Sequence, residues 1–343
     1  MKEKGFTLVE FAVSSLATMI ILGATFTLMN SIFTANEGMG EIMAAQSNVR
    51  VALNTLARDI TMAGTGLPVG SVEVPNGPSA VPIVRPGMSD SMSAGRFVET
   101  PNNALPFLSP GDGAGPTVSA ATDALTIFSV NQETPIWTVS SVALFTDRYE
   151  MTFTQAVDSG AAKLAPGDLL LFNNNQGSVL ACVTSISTSN TATAVFADTD
   201  VMGINQPMAE GGNLSSLSST MPATTAYPPT TAIKINIINY FISTATGRPR
   251  LMRAVNNSDV SAAQVIADDI ENLQFSFDLF DYSNLIQTAD VSFTASPNQI
   301  RSVLVAVTGR SAEMLKRTKD FYRFQLVSKI NIRNATFRNR YVG

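Results

Sequence analysis

One ionisable side chain, Glu10, lies within an apolar run that begins at Phe6 and continues to about Met29. A charge inside a bilayer-length helix costs about 2.5–3.5 kcal/mol or more, so a residue of this kind is a candidate functional site. An ammonium group brought against the carboxylate in apolar surroundings would compensate this cost. The same segment offers no such partner, so we expect Glu10 to pair with a group outside it.

A short charged leader, residues 2–4, ends at Gly5, directly before the sequence Phe-Thr-Leu-Val-Glu that starts at Phe6. This arrangement resembles the N-terminal processing signal of type IV prepilins and of type II secretion pseudopilins. The resemblance implies that a membrane enzyme, the prepilin peptidase, cleaves after Gly5 and methylates the new N-terminal amine of Phe6. It also implies that Glu10 meets the N-terminal amine of a neighbouring subunit during filament assembly.

Two ordinary explanations of the same segment fit less well. A secretory signal peptide ends in a small-residue cleavage site after its apolar core, and residues 22–36 contain no such site. A plain single-pass anchor needs neither Gly5 nor Glu10, and it remains the alternative to the prepilin interpretation.

The composition argues against the commonest enzymatic chemistries. The chain has 343 residues and no histidine, which excludes Ser-His-Asp and Cys-His catalysis and histidine-ligated metals. No P-loop or dinucleotide-binding glycine motif replaces them. We therefore predict a protein that is not an enzyme, with no catalytic residue, metal site or cofactor. The single cysteine, Cys182, cannot form an intrachain disulfide, and its apolar surroundings predict a buried small hydrophobic residue.

The elements that carry the N-terminal motif begin with one long helix. No proline occurs from Phe6 to about Ala63, and residues 6–29 are long enough to span about 30 Å of hydrocarbon. Residues 30–63 are amphipathic instead, and we expect one stripe of the helix to pack on a sheet. Two glycines at 37–40 predict a bend or weak point, and 64–68 should end the helix. The stripe contains Val49, Leu53, Leu56 and Ile60.

The remainder of the chain predicts a β-rich extracytoplasmic domain. Residues 64–123 are rich in Pro, Gly and Ser and predict a variable, mostly irregular connection, whereas residues 124–343 contain short apolar or alternating runs that predict antiparallel strands. The fold class is therefore α+β. The resemblance implies that it is type IV pilin-like, with a membrane-spanning first half of the helix and a second half packed on antiparallel β-sheet. The predicted strands are 124–130, 168–172, 179–186, 192–197, 233–242, 273–280, 301–308 and 322–332.

The second half of the helix adds detail to the resemblance. The run AQSNVRVALNTLARDITMAGTG is similar to the helix end of PilW-type minor pilins, and PGDLLLF, CVTSI, VIADDIENLQFSF, IRSVLVAVTGRS and YRFQLVSKINIRN extend the similarity. The resemblance implies a minor pilin, a structural subunit that primes or joins a type IV pilus. Its partners would be the prepilin peptidase and other major and minor pilins. It would cross the inner membrane once, with a periplasmic β-domain, and then reach the pilus or cell surface.

Two alternatives to a minor pilin stay open. A minor pseudopilin of the type II secretion tip complex carries the same N-terminal signal. A pilus-tip adhesin would bind its ligand through the two loops rich in small and polar residues, 64–123 and 201–231.

Two charge clusters allow further hypotheses. Residues 301–343 contain ten basic and two acidic residues, so this stretch could contact nucleic acid, pair with acidic neighbours or simply face water; we predict no nucleic-acid partner. Asp268, Asp269 and Glu271 precede a strand, with Asp278 and Asp281 nearby, so a calcium site is conceivable. Their spacing fits no EF-hand, and we expect a solvated edge and loop instead.

Overall fold

The fold is described from a computed structural model. Gly5 and Phe6 lie outside the described residues, so the structure does not bear on cleavage or methylation there. The described residues are 7–68, 72–73, 83–88, 104–131, 133–160, 163–198, 200, 202–208, 213–219, 227–256, 260–281, 284–292, 297–316 and 318–334.

A single long helix, α1, runs from Leu8 to Thr61, which at 1.5 Å per residue gives a length of about 80 Å. The helix is regular through residues 37–40, so the two glycines there do not interrupt it. It stops where the sequence predicts, because Gly64 and Gly66 adopt φ values of 74° and 71°, a conformation that glycine reaches without steric cost. Its buried residues all lie in its second half: Ala45, Val49, Ala52, Leu56, Asp59 and Ile60.

The described residues also contain seventeen β-strands, every paired strand being antiparallel to its neighbour. Three short 3-10 helices, 213–217, 260–262 and 297–299, lie among them. The strands are β1 (Val72–Glu73), β2 (Ala104–Leu105), β3 (Leu108–Gly111), β4 (Ala124–Val130), β5 (Trp137–Leu144), β6 (Arg148–Phe153), β7 (Leu169–Asn173), β8 (Ser178–Cys182), β9 (Ser185–Ile186), β10 (Thr193–Ala197), β11 (Thr231–Ser243), β12 (Arg250–Val255), β13 (Gln264–Asp268), β14 (Ile270–Asp281), β15 (Ile286–Val291), β16 (Ile300–Arg310) and β17 (Arg323–Asn331).

The fold is thus α+β, as predicted, and each predicted strand coincides with an observed one. Eight strands were not predicted: β1, β2 and β3, which lie within the predicted irregular connection, and β5, β6, β12, β13 and β15. The seventeen strands assemble into an eleven-stranded sheet, a four-stranded sheet in the order β15-β14-β16-β17, and the small pair β1-β2.

The long strand β11 organises the larger sheet. Its residue Ile235 pairs with Val130 of β4 on one side and with Leu169 of β7 on the other. The neighbouring run in β7 is apolar at successive positions because both faces of the strand are covered. Leu169 and Leu171 point into the main core, which also holds the buried residues of α1, β14 and β16, whereas Phe172 points into a second core around Trp137.

The second half of α1 packs on the main core at one close approach. Val49 is fully buried, and a Cβ atom placed on Gly309 of β16 would lie 2.5 Å from the Val49 Cγ2 atom. Carbon atoms in contact are separated by about 3.5–4.0 Å, so glycine is the residue that lets helix and strand meet here.

The two larger sheets are joined at a corner made by Asp269. This residue has a φ of 57° and separates β13, in the eleven-stranded sheet, from β14, in the four-stranded sheet. Its backbone oxygen accepts a hydrogen bond from the Arg310 amide at 2.9 Å. Its buried carboxylate pairs with Arg248, whose Nε lies 3.1 Å from Oδ1.

Part of the irregular connection is built into the domain. Within residues 83–88, Arg85 is buried to 1% exposure and donates hydrogen bonds to the carbonyl oxygens of Ser109 and Pro110 and to the Thr126 hydroxyl. Burial lowers the pKa of Arg85 to about 9, which leaves the side chain charged at neutral pH. A loop residue therefore carries a buried charge that its acceptors must stabilise.

Candidate assembly site on the N-terminal helix

The first half of α1 stands clear of the β-domain. Every large apolar side chain from Leu8 to Phe33 is exposed, with values of 85% at Leu8 and 77% at Phe26. An 18-residue window of the helix has a mean hydropathy of 1.9 and no buried residue. Exposed apolar surface on this scale needs a cover other than water, and the length and composition suffice to span a membrane. The helix therefore indicates single-pass membrane anchoring.

Hydroxyl groups within this apolar segment are satisfied by the helix itself. Ser14, Thr18 and Thr25 each donate to the carbonyl oxygen four residues earlier, at 2.7–2.8 Å. Thr27, Ser31 and Thr34 do the same. A polar group without a partner is costly in hydrocarbon, so these bonds allow a serine- and threonine-bearing helix to enter a bilayer.

Glu10 folds back onto the start of the helix. Thr7 caps α1, and the Glu10 carboxylate accepts hydrogen bonds from the Thr7 amide at 3.0 Å and from the Thr7 hydroxyl at 2.8 Å. The Glu10 amide donates to the Thr7 hydroxyl at 3.3 Å in return, which completes a capping box. The segment therefore does offer Glu10 a partner, but a neutral one: a capping residue three positions earlier supplies two donors.

These hydrogen bonds do not neutralise the charge. The helix N-terminus and the two donors of Thr7 favour a carboxylate, yet no cationic side chain pairs with Glu10 in the described part of the chain. The carboxylate is exposed at the end of an apolar rod, and it keeps an accessible face for a further donor or cation.

In the second half of the helix, the stripe named from the sequence faces the domain. Val49, Leu56 and Ile60 are fully buried in the main core, and Leu53 is partly buried against it. The close approach of Val49 to Gly309 leaves no room for a side chain at position 309. The helix is thus divided into an uncovered half and a half that is part of the core.

A buried polar cluster, which sequence reasoning missed, fixes the end of α1. Asp59 is 8% exposed, although charged residues of an amphipathic helix are expected on its solvent face. Its Oδ2 atom accepts a hydrogen bond from the Tyr240 hydroxyl at 2.7 Å and pairs with Arg253 Nε at 2.9 Å. Burial, followed by the nearby Asp59 charge, raises the pKa of Tyr240, so the hydroxyl remains a donor. The sequence carries one signal for this contact, since the acidic residue Asp59 directly precedes the core residue Ile60.

A second set of polar contacts binds the helix to the β-domain at residues 37–41. The loop between β16 and β17 places the amides of Ala312 and Glu313 at 2.9 and 3.2 Å from the Glu41 carboxylate. Lys316 pairs with Glu37 at 2.5 Å, and Leu315 lies near Gly38. The β-domain therefore touches one side of the helix at 37–41 and leaves the other side uncovered.

The acidic residues near position 270, which the sequence allowed as a calcium site, form ion pairs with arginines. Asp268 pairs with Arg250 at 2.7 Å, and Glu271 pairs with Arg323 at 2.7 Å. Within the described ranges no group of three or more acidic, cysteine or histidine side chains could hold a metal ion. Glu271 is 2% exposed, as buried as the corner residue Asp269, so the expectation of a solvated edge and loop is wrong for these two residues.

The same pairs account for several charges of the basic C-terminal stretch. Arg323 and Lys329 pair with Glu271 and Asp278, and Arg310 stacks over the Phe321 ring at 4.3 Å. Of the three alternatives left open by the sequence, pairing with acidic neighbours describes Arg323 and Lys329. Residues 335–343, which carry the last two arginines, lie outside the described part.

Cys182 lies at the end of β8 and is 1% exposed. Burial is the first cause that raises the pKa of its thiol, so the thiol stays protonated and unreactive. The prediction of a buried small residue is correct.

A scan against models of protein families, a search of curated proteins and a search of solved structures each gave no match. The architecture itself, a long N-terminal apolar helix packed by its second half on antiparallel sheet, is consistent with a pilin-like fold.

Proposed function

We propose that this protein is a minor pilin, a structural subunit that primes or joins a type IV pilus after release from the inner membrane. The prepilin peptidase would cleave after Gly5 and methylate Phe6, and other pilins would pack against the exposed half of α1. The absence of histidine from the chain supports a structural rather than a catalytic role.

The observation that carries the proposal is the placement of Glu10. A lone carboxylate stands at the N-terminal end of an uncovered apolar helix, five residues after a glycine that follows a charged leader. Its capping bonds to Thr7 leave its charge uncompensated. Cleavage after Gly5 would create an ammonium group at Phe6, and the same group on a neighbouring subunit would supply the missing cation.

The identity of the mature N-terminus tests the processing step. Mass spectrometry of chain purified from its native membrane should find N-methylated Phe6 as the first residue. Replacing Gly5 by a bulky residue should leave the full-length chain in the membrane. An intact Met1, or a cut near residue 30, would contradict the proposal.

Two variants of Glu10 separate its charge from its capping role. Glu10→Gln keeps an oxygen that accepts from Thr7 but removes the charge, whereas Glu10→Ala removes both. Both should insert in the membrane at least as well as the native chain, because the cost of a buried charge is gone. Both should be lost from sheared filaments and from co-purified pilin complexes.

Glu37→Gln is the matched control, because Glu37 lies on the same helix beyond the apolar run and pairs with Lys316. It should be recovered at the native level. Normal recovery of Glu10→Gln together with loss of Glu10→Ala would show that the cap alone matters, and the proposed pairing with an ammonium group would be wrong.

A further inference from the structure

One loop of the β-domain lies at the level where α1 would leave a membrane. The run from Phe11 to Asn36 contains 26 residues and no charged side chain, so as a helix it is about 39 Å long. A bilayer with its headgroup layers is about 40–45 Å thick. The next residue, Glu37, therefore lies at the level of the headgroups on the side of the membrane where the β-domain lies.

The loop between β16 and β17 follows α1 toward this level. Its amides at residues 312 and 313 bind the Glu41 carboxylate at 2.9 and 3.2 Å. Farther along the loop, Lys316 pairs with Glu37, which is one helical turn nearer the apolar half of α1 than Glu41 is. The loop thus extends along the helix in the direction of the membrane.

The loop reverses direction directly after Lys316. The Lys319 amide donates a hydrogen bond to the Leu315 carbonyl oxygen at 2.8 Å, and the Leu315 amide donates to the Asp320 carbonyl oxygen at 3.0 Å. These two bonds close a turn at residues 316–319, which we call the basic turn. Its sequence is Lys-Arg-Thr-Lys, so three of its four residues are basic.

The basic turn carries charge that the fold does not use. Lys316 is paired with Glu37, and the neighbouring Asp320 is paired with Arg323. Lys319 is exposed and has no acidic partner within the described residues, and residue 317 lies outside them. A free positive charge at the level of the headgroups fits a negatively charged lipid surface, whose attraction extends over about 8–10 Å.

We propose that the basic turn binds the phosphate groups of anionic phospholipids in the membrane that α1 spans. The inference deepens the proposed function and rests on it in taking α1 to be a membrane anchor. The membrane is the partner because the helix that enters it is the helix to which the turn is bound. Each basic residue near an anionic surface strengthens binding about fivefold. The contact would hold the β-domain on the bilayer, and a subunit would break it on leaving the membrane for a filament.

A fluorescent label on the turn measures its contact with lipid. Thr318→Cys places an exposed thiol in the turn, and Asn54→Cys places an exposed thiol about 25 Å beyond Glu37 along α1 as the matched control. Cys182 is buried, so the introduced thiol is the one that is labelled.

The labelled full chain is reconstituted into vesicles of phosphatidylcholine with or without phosphatidylglycerol, all containing the same lipid with a quencher on its headgroup. Quenching at position 318 should increase severalfold when phosphatidylglycerol is present and should fall again at high salt. Quenching at position 54 should stay low in both kinds of vesicle.

Removal of one charge tests whether the turn is responsible. Lys319→Gln in the chain labelled at position 318 should lower the ratio of lipid-bound to free turn about fivefold, because one basic residue is lost. Arg50→Gln is the matched control, since Arg50 is an exposed basic residue of α1 about 20 Å beyond Glu37, and it should leave the ratio unchanged. Far-ultraviolet circular dichroism establishes that both variants are folded.

Equal quenching at position 318 with and without phosphatidylglycerol would overturn the inference, as would equal losses from Lys319→Gln and Arg50→Gln. An absence of quenching at position 318 in a chain that sediments with the vesicles would show that the turn stands away from the membrane, and it would overturn the inference while leaving the anchor intact. A chain that does not sediment with the vesicles would contradict membrane anchoring, and with it both the inference and the proposed function.

Discussion

Substitution of Gly309 by alanine tests the contact on which the architecture depends. The new Cβ atom would lie 2.5 Å from Val49 Cγ2. It could not shift far away from Val49, because two other atoms lie 3.4 Å from it, the Asp269 carbonyl oxygen and Ile270 Cδ1. Overpacking of this kind costs about 1–3 kcal/mol. Alanine also restricts the unfolded chain, which offsets about 0.4–1 kcal/mol. We expect a net loss of about 1–2 kcal/mol in the free energy of unfolding.

A double-mutant cycle makes this prediction specific to the helix–strand contact. Val49→Ala removes the clashing methyl group and alone should cost about 2 kcal/mol, because two buried methyl groups are lost. In the chain that carries both substitutions, the alanine at 309 has room, so the combined loss should fall short of the sum by about 1 kcal/mol or more. Two substitutions without contact would add.

Urea unfolding of the full chain in detergent micelles provides the measurement. Far-ultraviolet circular dichroism follows the whole fold, and fluorescence follows Trp137, the chain's one tryptophan, which is fully buried. Gly40→Ala is the control: nothing lies within 4 Å of its new Cβ, and alanine favours a helix, so it should be neutral or slightly stabilising. A neutral Gly309→Ala, or an additive pair with Val49→Ala, would refute the close approach of α1 to β16.

Three further perturbations address other parts of the fold. Asp59→Ala should cost about 3–5 kcal/mol in urea unfolding, since it leaves the Tyr240 hydroxyl without its acceptor and the partly buried Arg253 without its carboxylate partner; a loss below about 1 kcal/mol would show that water replaces the carboxylate. Lys329, and then a serine hydroxyl, lower the pKa of Asp278, so this charge stabilises the fold above the unfolded-state pKa of about 3.9 and the contribution disappears as the pH falls through the folded-state pKa. Asp278→Asn should therefore be destabilising at neutral pH and nearly neutral at about pH 2; the same loss at both pH values would contradict the ion pair. A chain that starts at Gly64 lacks the buried side of α1 and should aggregate or melt without a clear transition, whereas one that starts at Asn30 should unfold cooperatively; the same sharp transition in both would mean that the helix is a free stalk.

The regular elements were predictable because their signals are local. Helix α1 is defined by an unbroken apolar run, an amphipathic continuation and the Gly64-to-Pro68 breaker, and no distant residue is needed to recognise these. Strands β14 and β17 show plain alternation, with Leu273, Phe275 and Phe277 buried. Two of the strands that were missed have weaker patterns, because β15 is almost wholly exposed and β5 buries two of its eight residues. Strand β6 was missed although its residues alternate plainly between buried and half-buried.

The polar contacts were not predictable because their partners are distant in sequence. Asp59 forms hydrogen bonds with Tyr240 and Arg253, which are 181 and 194 residues away in the sequence. Helical periodicity alone assigns an aspartate to the solvent-exposed side of the helix. Thr7 and Glu10 are the exception. Their three-residue spacing is the signature of a capping box, which is a local signal.

The second half of α1 is held to the β-domain by two kinds of force, apolar packing and directional polar contacts, and each has a different role. Apolar packing of the Val49 stripe supplies most of the attachment, but it is not directional and by itself would tolerate rotation or sliding. The hydrogen bonds of Asp59 at one end and of Glu41 at the other are directional, and they fix the angle and register at which the helix leaves the β-domain. The first half has no such constraint from the domain, so the angle set at Glu41 determines which side of the apolar rod faces a neighbour. If the directional contacts set this angle, then Glu41→Ala should retain most of the stability of the fold while lowering recovery of the chain in sheared filaments.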